Sequence, residues 1–445
     1  MSWIKIGSAL ATVVMIGACS SAAPTATPIP SAASSPTPAV SPLPTSTTAT
    51  PTAAVETPAA SPTPQPNSTP EPSLPSQAPS PSASASPIVS PEPSPSLAVK
   101  SPSASPSALE SPATAVATIF AGGGTDDPGD GGPATSALLR HPSGIAVGPD
   151  GTVWIVDNNS YLLRSVTTDG VIRTNAKGFD GPQGVAVGPD GTVYVADRGS
   201  YTVVRIGPKG KLVLFAGTSL GAGFSGDGGL ARRARLWQPY DVATDAAGNV
   251  YIADTSNQRI RVVDATTLKI HTIAGNGKRE FSGDNGPAKD AAFNNPQALC
   301  VDQAGTVMYI GDYSNGRLRR VDLVTGIVTT VAGTGTSSVP YDAALTGPNT
   351  PLSRIIAVAM DAAGNVYLPV FYTNLGTLIM RLDPAGTMTR VAGGGESESA
   401  GVPSSELLLP SVEALEINPF TGALLIGVGD GRVLSIPDVA TPSGQ

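Results

Sequence analysis

The chain has 445 residues, including 44 prolines and 50 glycines, and a formal net charge of −8. Residues 1–113 carry −2 of that charge (Lys5 and Lys100 against Glu56, Glu71, Glu92 and Glu110), which leaves −6 on the remainder and excludes nucleic-acid binding by bulk positive charge. From Ser20 to Ala113, 94 residues hold 24 prolines, no glycine and no aromatic residue. Such a tract has nothing to bury, so a two-domain enzyme spread over the whole chain is excluded and residues 114–445 are left to build a core.

In chain order, the first predicted element is an export signal over residues 1–18: a free amine and Lys5, an apolar run from Ile6 to Ile16, then small residues before Cys19. The run is too short to span a hydrocarbon core, which needs about 20 apolar residues. Ile16-Gly17-Ala18-Cys19 resembles the bacterial lipobox. That resemblance implies cleavage before Cys19, lipidation of its thiol, and a place in the bacterial cell envelope outside the cytoplasmic membrane. Cys300 then remains as the other cysteine, so no intramolecular disulfide is expected in the mature chain.

Residues 19–113 alternate Pro with Ser, Thr and Ala and predict a disordered spacer. As polyproline II the 94 residues would reach roughly 290 Å; as a coil, about 55 Å. An O-glycosylated stalk fits the same composition. A proline-rich ligand fits less well, because no basic residues flank the prolines.

From residue 114 onward the sequence repeats. "SGIAVGPDGTVWIVD" (143–157) recurs at 183–197, 240–254, 297–312 and 356–370, with a degenerate copy at 413–428. The turn glycines Gly151, Gly191, Gly248, Gly305, Gly364 and Gly422 mark the period. Each copy reads as two short strands about a Gly turn, a polar loop, and two further strands such as "QRIRVVD" (258–264) and "IHTIAG" (270–275). Four antiparallel strands repeated six times predict an all-β fold, a six-bladed β-propeller over 114–445.

The repeats resemble the NHL repeat family at three points. These are the "VYIAD" core, the Asn and Arg that follow it (Asn257 and Arg259, Asn315 and Arg317), and linkers of the "FSGDGGLA" kind (224–231, 281–288 and, as "GDGGPA", 129–134). The fifth and sixth copies depart, with Val370 and Val428 where the others have Asp157, Asp197, Asp254 and Asp312. The last copy lacks a fourth strand, and an orphan fourth strand precedes the first. Residues 115–122 are therefore expected to complete the last blade and hide two sheet edges.

Alternating strand direction puts the tight Gly turns on one face. The insertions and the loops beginning at Asn158, Arg198, Thr255, Tyr313 and Phe371 go to the other, and recognition is expected there. Arg232, Arg233, Lys278 and Arg279 cluster in two adjacent insertions, where they suit an anionic partner or a solvated surface.

Asp130, Asp227 and Asp284 are weak metal candidates. Their spacing misses the calcium-loop pattern, and capping of the short turn that follows is the plainer expectation. Asp157, Asp197, Asp254 and Asp312 are read as structural, fixing the next loop or pairing with Arg164, Arg261 and Arg319. Cys300 takes an alanine position and is read as buried and inert. His141 and His271 are too few for a zinc site. Glu416, in the same column as Cys300, is the one catalytic candidate.

The expectation is a non-enzymatic, monomeric binding or scaffold module with no cofactor. It would take a protein, peptide or glycan on the loop-rich face and the membrane through Cys19. The alternatives are a metal-dependent hydrolase or lyase of the lactonase or peptide-amidating lyase type, and a structural envelope spacer.

Overall fold

The computed structural model describes residues 114–218, 221–336 and 347–440. The export signal, Cys19 and the linker lie outside those residues. The described chain is all-β, with six antiparallel sheets whose first strands pack one against the next around a closed ring. Blade 1 runs Pro142–Val147, Val153–Asp157, Leu162–Val166 and Ile172–Lys177 from the channel outward. Blades 2, 3, 4 and 5 repeat the order, beginning at Pro182–Val187, Pro239–Thr244, Pro296–Val301 and Ala359–Met360. In blade 4 the short strand Gly286–Pro287 adds to the outer edge.

Blade 6 takes three strands from the end of the chain, Val412–Ile417, Leu424–Val428 and Arg432–Ile436. Its outermost strand is Thr118–Gly122, paired antiparallel with Arg432–Ile436. Two segments more than 300 residues apart thus share one sheet, and the outer edge of Arg432–Ile436 is covered.

The Gly turns have a local cause. In the first, Gly151 adopts φ 81°, a region that costs glycine nothing, while Asp150 accepts the Thr152 N–H at 3.0 Å. Asp190 and Gly191 repeat the arrangement in blade 2.

The insertions fill the space that opens as neighbouring blades diverge from the axis. Ala231, Ala234 and Leu236 pack between Ala216 of blade 2 and Ile270 of blade 3, and Ala288, Ala291 and Phe293 do the same between blades 3 and 4. Glycine is required by the close approach of backbone: a Cβ on Gly226 would lie 2.6 Å from the Ala234 Cα, and one on Gly283 would lie 2.5 Å from the Ala291 Cα.

Here the structure corrects the sequence reading of three acids. The turns Ala134–Ser136 and Ala231–Arg233 carry no side-chain cap. Asp130, Asp227 and Asp284 instead reach down to the fully buried arginines of the third strands. Arg164 lies 3.0 Å from Asp130, Arg261 2.5 Å from Asp227, and Arg319 2.8 Å from Asp284. Carboxylates engaged in this way serve to neutralise a cation in the protein interior.

The second-strand aspartates complete the group. Asp254 accepts from the Trp237 N–H at 2.8 Å and from Arg261 at 3.2 Å; Asp312 accepts from the Asn294 N–H at 2.8 Å and lies 3.4 Å from Arg319. Both expectations for these residues, loop fixing and arginine pairing, hold in blades 3 and 4. Burial pushes the carboxyls of Asp254 and Asp312 up to about 6, against the pull of their donors. Phe224 and Phe281 cover the arginines, with the guanidinium carbons of Arg259 and Arg317 3.9 and 3.7 Å from their ring centres. The "FSGD" signature of the linker is thus a lid over a buried Asp–Arg–Asp group.

Candidate functional site

The second residue of each first strand sits at the entrance of the channel on the loop-rich face. In blades 1 to 4 and 6 those residues are Ser143, Gln183, Tyr240, Gln297 and Glu413, and in blade 5 Ile356, three residues before the strand Ala359–Met360, takes the corresponding place; no two neighbours around the ring are alike. Ser143, Tyr240, Ile356 and Glu413 line one narrow space of about 40 Å³. His141 Nε2 lies 3.8 Å from Glu413 Oε1. Burial, and then the nearby Glu413 carboxylate, pushes the Tyr240 phenol up to about 12, so it remains a hydrogen-bond donor across the physiological range.

Of the five loop-opening residues expected on this face, three point into solvent or the mouth. Arg198 is exposed with its guanidinium 6.0 Å from the centre of the Tyr240 ring. Tyr313 carries the exposed Arg354 at 5.7 Å, and Phe371 is 50% exposed. Tyr313, Arg354, Phe371, Ile356 and Val412 border a cavity of about 490 Å³ that spans blades 4 to 6.

The other two are corrected by the structure. Thr255 is buried and donates to the Pro296 carbonyl at 2.7 Å; the Asn158 side chain donates to the Pro182 carbonyl. Both stitch one blade to the next. Among the basic residues of the insertions, Arg232, Arg233, Lys278 and Arg279 are exposed, and Lys278 lies 3.8 Å from Glu280. They sit apart from the cavity that Tyr313 and Phe371 border.

Below the mouth the channel is acidic. Asp241 accepts from the Leu299 N–H at 2.9 Å and the Val242 N–H at 2.8 Å, so it satisfies an N–H on the free edge of the next blade's first strand. Burial pushes its carboxyl up to about 7. Burial and then the Asp241 carboxylate push Glu416 up to about 8. The Cys300 thiol, against both acids, is pushed far up by burial, which keeps it from forming a thiolate. Cys300 is half-buried and faces the channel, where the sequence reading placed it fully inside.

Glu416 borders a second cavity, of about 860 Å³, on the face of tight turns. That cavity is larger than the one at the mouth, against the expectation that this face is plain. Its polar groups are committed locally, however. Asp302 accepts from Thr306 and Val307, Asp361 accepts from Asn365 and Tyr367, and Arg320 lies 3.9 Å from Asp322. Among the described residues no group of three His, Cys, Asp or Glu side chains is placed to hold a metal ion.

The profile of the teneurin NHL domain matches residues 119–180, and that of the NHL repeat matches 179–206 and 236–263. The chain is an NHL-repeat β-propeller. NHL repeat-containing protein 2 of Bos taurus is 31% identical over 215 residues, covering 47% of this chain and 24% of that protein's length. Two solved structures from Bacteroides thetaiotaomicron share the fold. One is a protein of unknown function (TM-score 0.53, 19% identity, 72% of this chain and 75% of that one). The other is an auxiliary nutrient binding protein (TM-score 0.54, 13% identity, 72% and 76%).

Three residues of this NHL propeller's mouth, Tyr240, Arg354 and Glu413, were not singled out from the sequence. A signal existed: they stand at or just before first-strand positions where the repeats disagree, flanked by positions where they agree. In a repeat protein the agreeing positions carry the shared packing, and disagreement at an exposed one marks what differs from blade to blade.

Proposed function

We propose that this NHL propeller is a non-catalytic binding module whose loop-rich mouth takes a protein, peptide or glycan, held outside the cytoplasmic membrane by lipid on Cys19 and a Pro-rich spacer. One observation carries the reading. Arg198 and Arg354 stand over tyrosine rings at the mouth with no carboxylate partner among the described residues, while the buried arginines Arg164, Arg261 and Arg319 are each paired with a carboxylate. Rigid aromatic and arginine side chains at the rim of a cavity are the composition from which binding hot spots are made.

The test immobilises the full chain and compares what it retains from an envelope extract with the Tyr313→Ala/Phe371→Ala and Arg320→Gln variants. Retention lost with the first and kept with the second is expected. Equal retention by all three sinks the assignment.

One observation favours a second reading, an enzyme working from the opposite face. Glu416 is a carboxyl held largely protonated near neutral pH at the edge of the 860 Å³ cavity, as a general acid would be. Lactone or amidated-peptide turnover abolished by Glu416→Gln would replace the proposal.

A further inference from the structure

The cavity at the mouth does not end at its own walls. Tyr313, Ser353 and Arg354 also border a neighbouring space of about 330 Å³ that continues outward past Gly316 and Gly335 of blade 4. Ile356, on the inner side, borders both the cavity and the channel entrance. The result is one elongated groove from the channel rim to the flank of blade 4, with Arg354 and Tyr313 midway along it.

Resting on the binding-module reading, we infer that this groove takes an extended peptide, pairing one carboxylate of it with Arg354 and seating an adjacent apolar side chain against Phe371, Ile356 and Val412. The charge argument comes first. Arg354 is exposed, and its contact among the described residues is the Tyr313 ring at 5.7 Å. A guanidinium lying on a ring keeps its planar fork of donors free for a carboxylate. Arg198 over Tyr240 offers a second such fork across the rim.

The walls then select the class of molecule. Phe371, Ile356 and Val412 are joined by Pro369 and Pro410, so the surface beside Arg354 is mostly apolar, with Thr377 and Ser411 adding two hydroxyls to the lining. The hydroxyl of Ser353 is buried and accepts the Phe371 N–H at 2.7 Å, so the chain's own backbone fixes it in place. A glycan needs a dense set of free hydrogen-bonding groups along its ring edges. An apolar wall next to a single cation matches a peptide in which an aliphatic or aromatic residue lies close to an acid.

Fluorescence polarisation of the full chain with labelled, C-amidated hexapeptides tests this. Each pair places one Phe or Leu one to three residues from a Glu or from its Gln isostere, and oligouronates run in parallel. The Glu member is expected to bind roughly ten- to a hundredfold more tightly than its Gln partner, the size of one charge-assisted hydrogen bond. Arg354→Gln should erase that ratio without shifting the melting curve, since the side chain is exposed. Phe371→Ala should weaken both members alike.

Equal binding of the Glu and Gln peptides, survival of the ratio in Arg354→Gln, or capture of oligouronates in place of peptides overturns the inference. If envelope components are still retained through Tyr313 and Phe371 in that event, only the peptide assignment falls. If neither is retained, the binding-module reading falls with it.

Discussion

Blades 3 and 4 and blades 5 and 6 solve one packing problem in opposite ways. In blades 3 and 4, the last residue of the second strand is Asp254 or Asp312 and the middle residue of the third is Arg261 or Arg319. In blades 5 and 6 the same two positions hold Val370 with Met380 and Val428 with Leu434, all buried. Both members change together. Blade 1 keeps Arg164 and Asp157, and blade 2 keeps Asp197 with Val204 opposite the arginine's place. In that blade the lone carboxylate is satisfied by the Asp180 N–H at 2.9 Å.

The difference teaches what the interior tolerates. A buried ion pair and a packed apolar pair are of comparable stability, whereas a charge left in the interior with neither a counter-charge nor hydrogen-bond donors is not, because it has no substitute for water. Arg261 is held because Asp227 from the insertion and Asp254 from its own blade neutralise it together. Blade 5 has Met380 in the arginine's place.

The largest test concerns blade 6 itself. Deleting residues 114–122 removes its outer strand and exposes a sheet edge. Calorimetry is expected to show the loss of cooperative unfolding of the whole ring, and an unchanged melting curve would mean the strand is dispensable.

Next, Arg261→Met in blade 3 leaves the buried Asp254 without its cation and should cost about 3–5 kcal/mol in urea unfolding. The triple change Arg261→Met, Asp254→Val, Asp227→Ala transplants the blade 5 solution and should recover most of that. A triple variant no better than the single one breaks the comparison.

A smaller effect is expected in the channel. Glu416 has a folded-state carboxyl raised above its unfolded value, so its protonated form favours the fold at acid pH and that contribution is lost as pH rises through about 8. Glu416→Gln should therefore match the parent near pH 5 and melt a few degrees higher at pH 9, on a scale of roughly 2–4 °C per kcal/mol. A parent curve as flat in pH as the variant's would remove Glu416 from the account. A smaller effect still is expected of Phe224→Ala, which removes the ring covering Arg259 and Arg261 and should cost about 0.5–1 kcal/mol. Phe420→Ala, an exposed aromatic of blade 6 with no arginine beneath it, should cost less.

Much of this fold is legible in the chain because propeller information is local and written several times over. The Gly turns, the strand order and the missing fourth strand of the last copy are each a matter of sequence spacing, and together they fix six blades and the closure through Thr118–Gly122. The mouth was legible in part. Arg198, Tyr313 and Phe371 follow from loop position, but Thr255 and Asn158 share that position and turn to the next blade. A short polar side chain reaches a neighbouring carbonyl where a long or aromatic one cannot be accommodated, and loop position alone does not distinguish the two.

By itself, then, the sequence determined the repeat, its register and the face on which variation gathers, since each rests on contacts within one unit or between units of known order. Only the tertiary structure decided the partners of Asp130, Asp227 and Asp284, each an insertion residue paired across 34 or 35 positions with an arginine of the following blade. It alone brought Asp241 and Glu416, from blades 3 and 6, into one acidic channel. Such pairings depend on how far neighbouring blades diverge and what fills the gap, a property of the assembled ring that no single repeat contains.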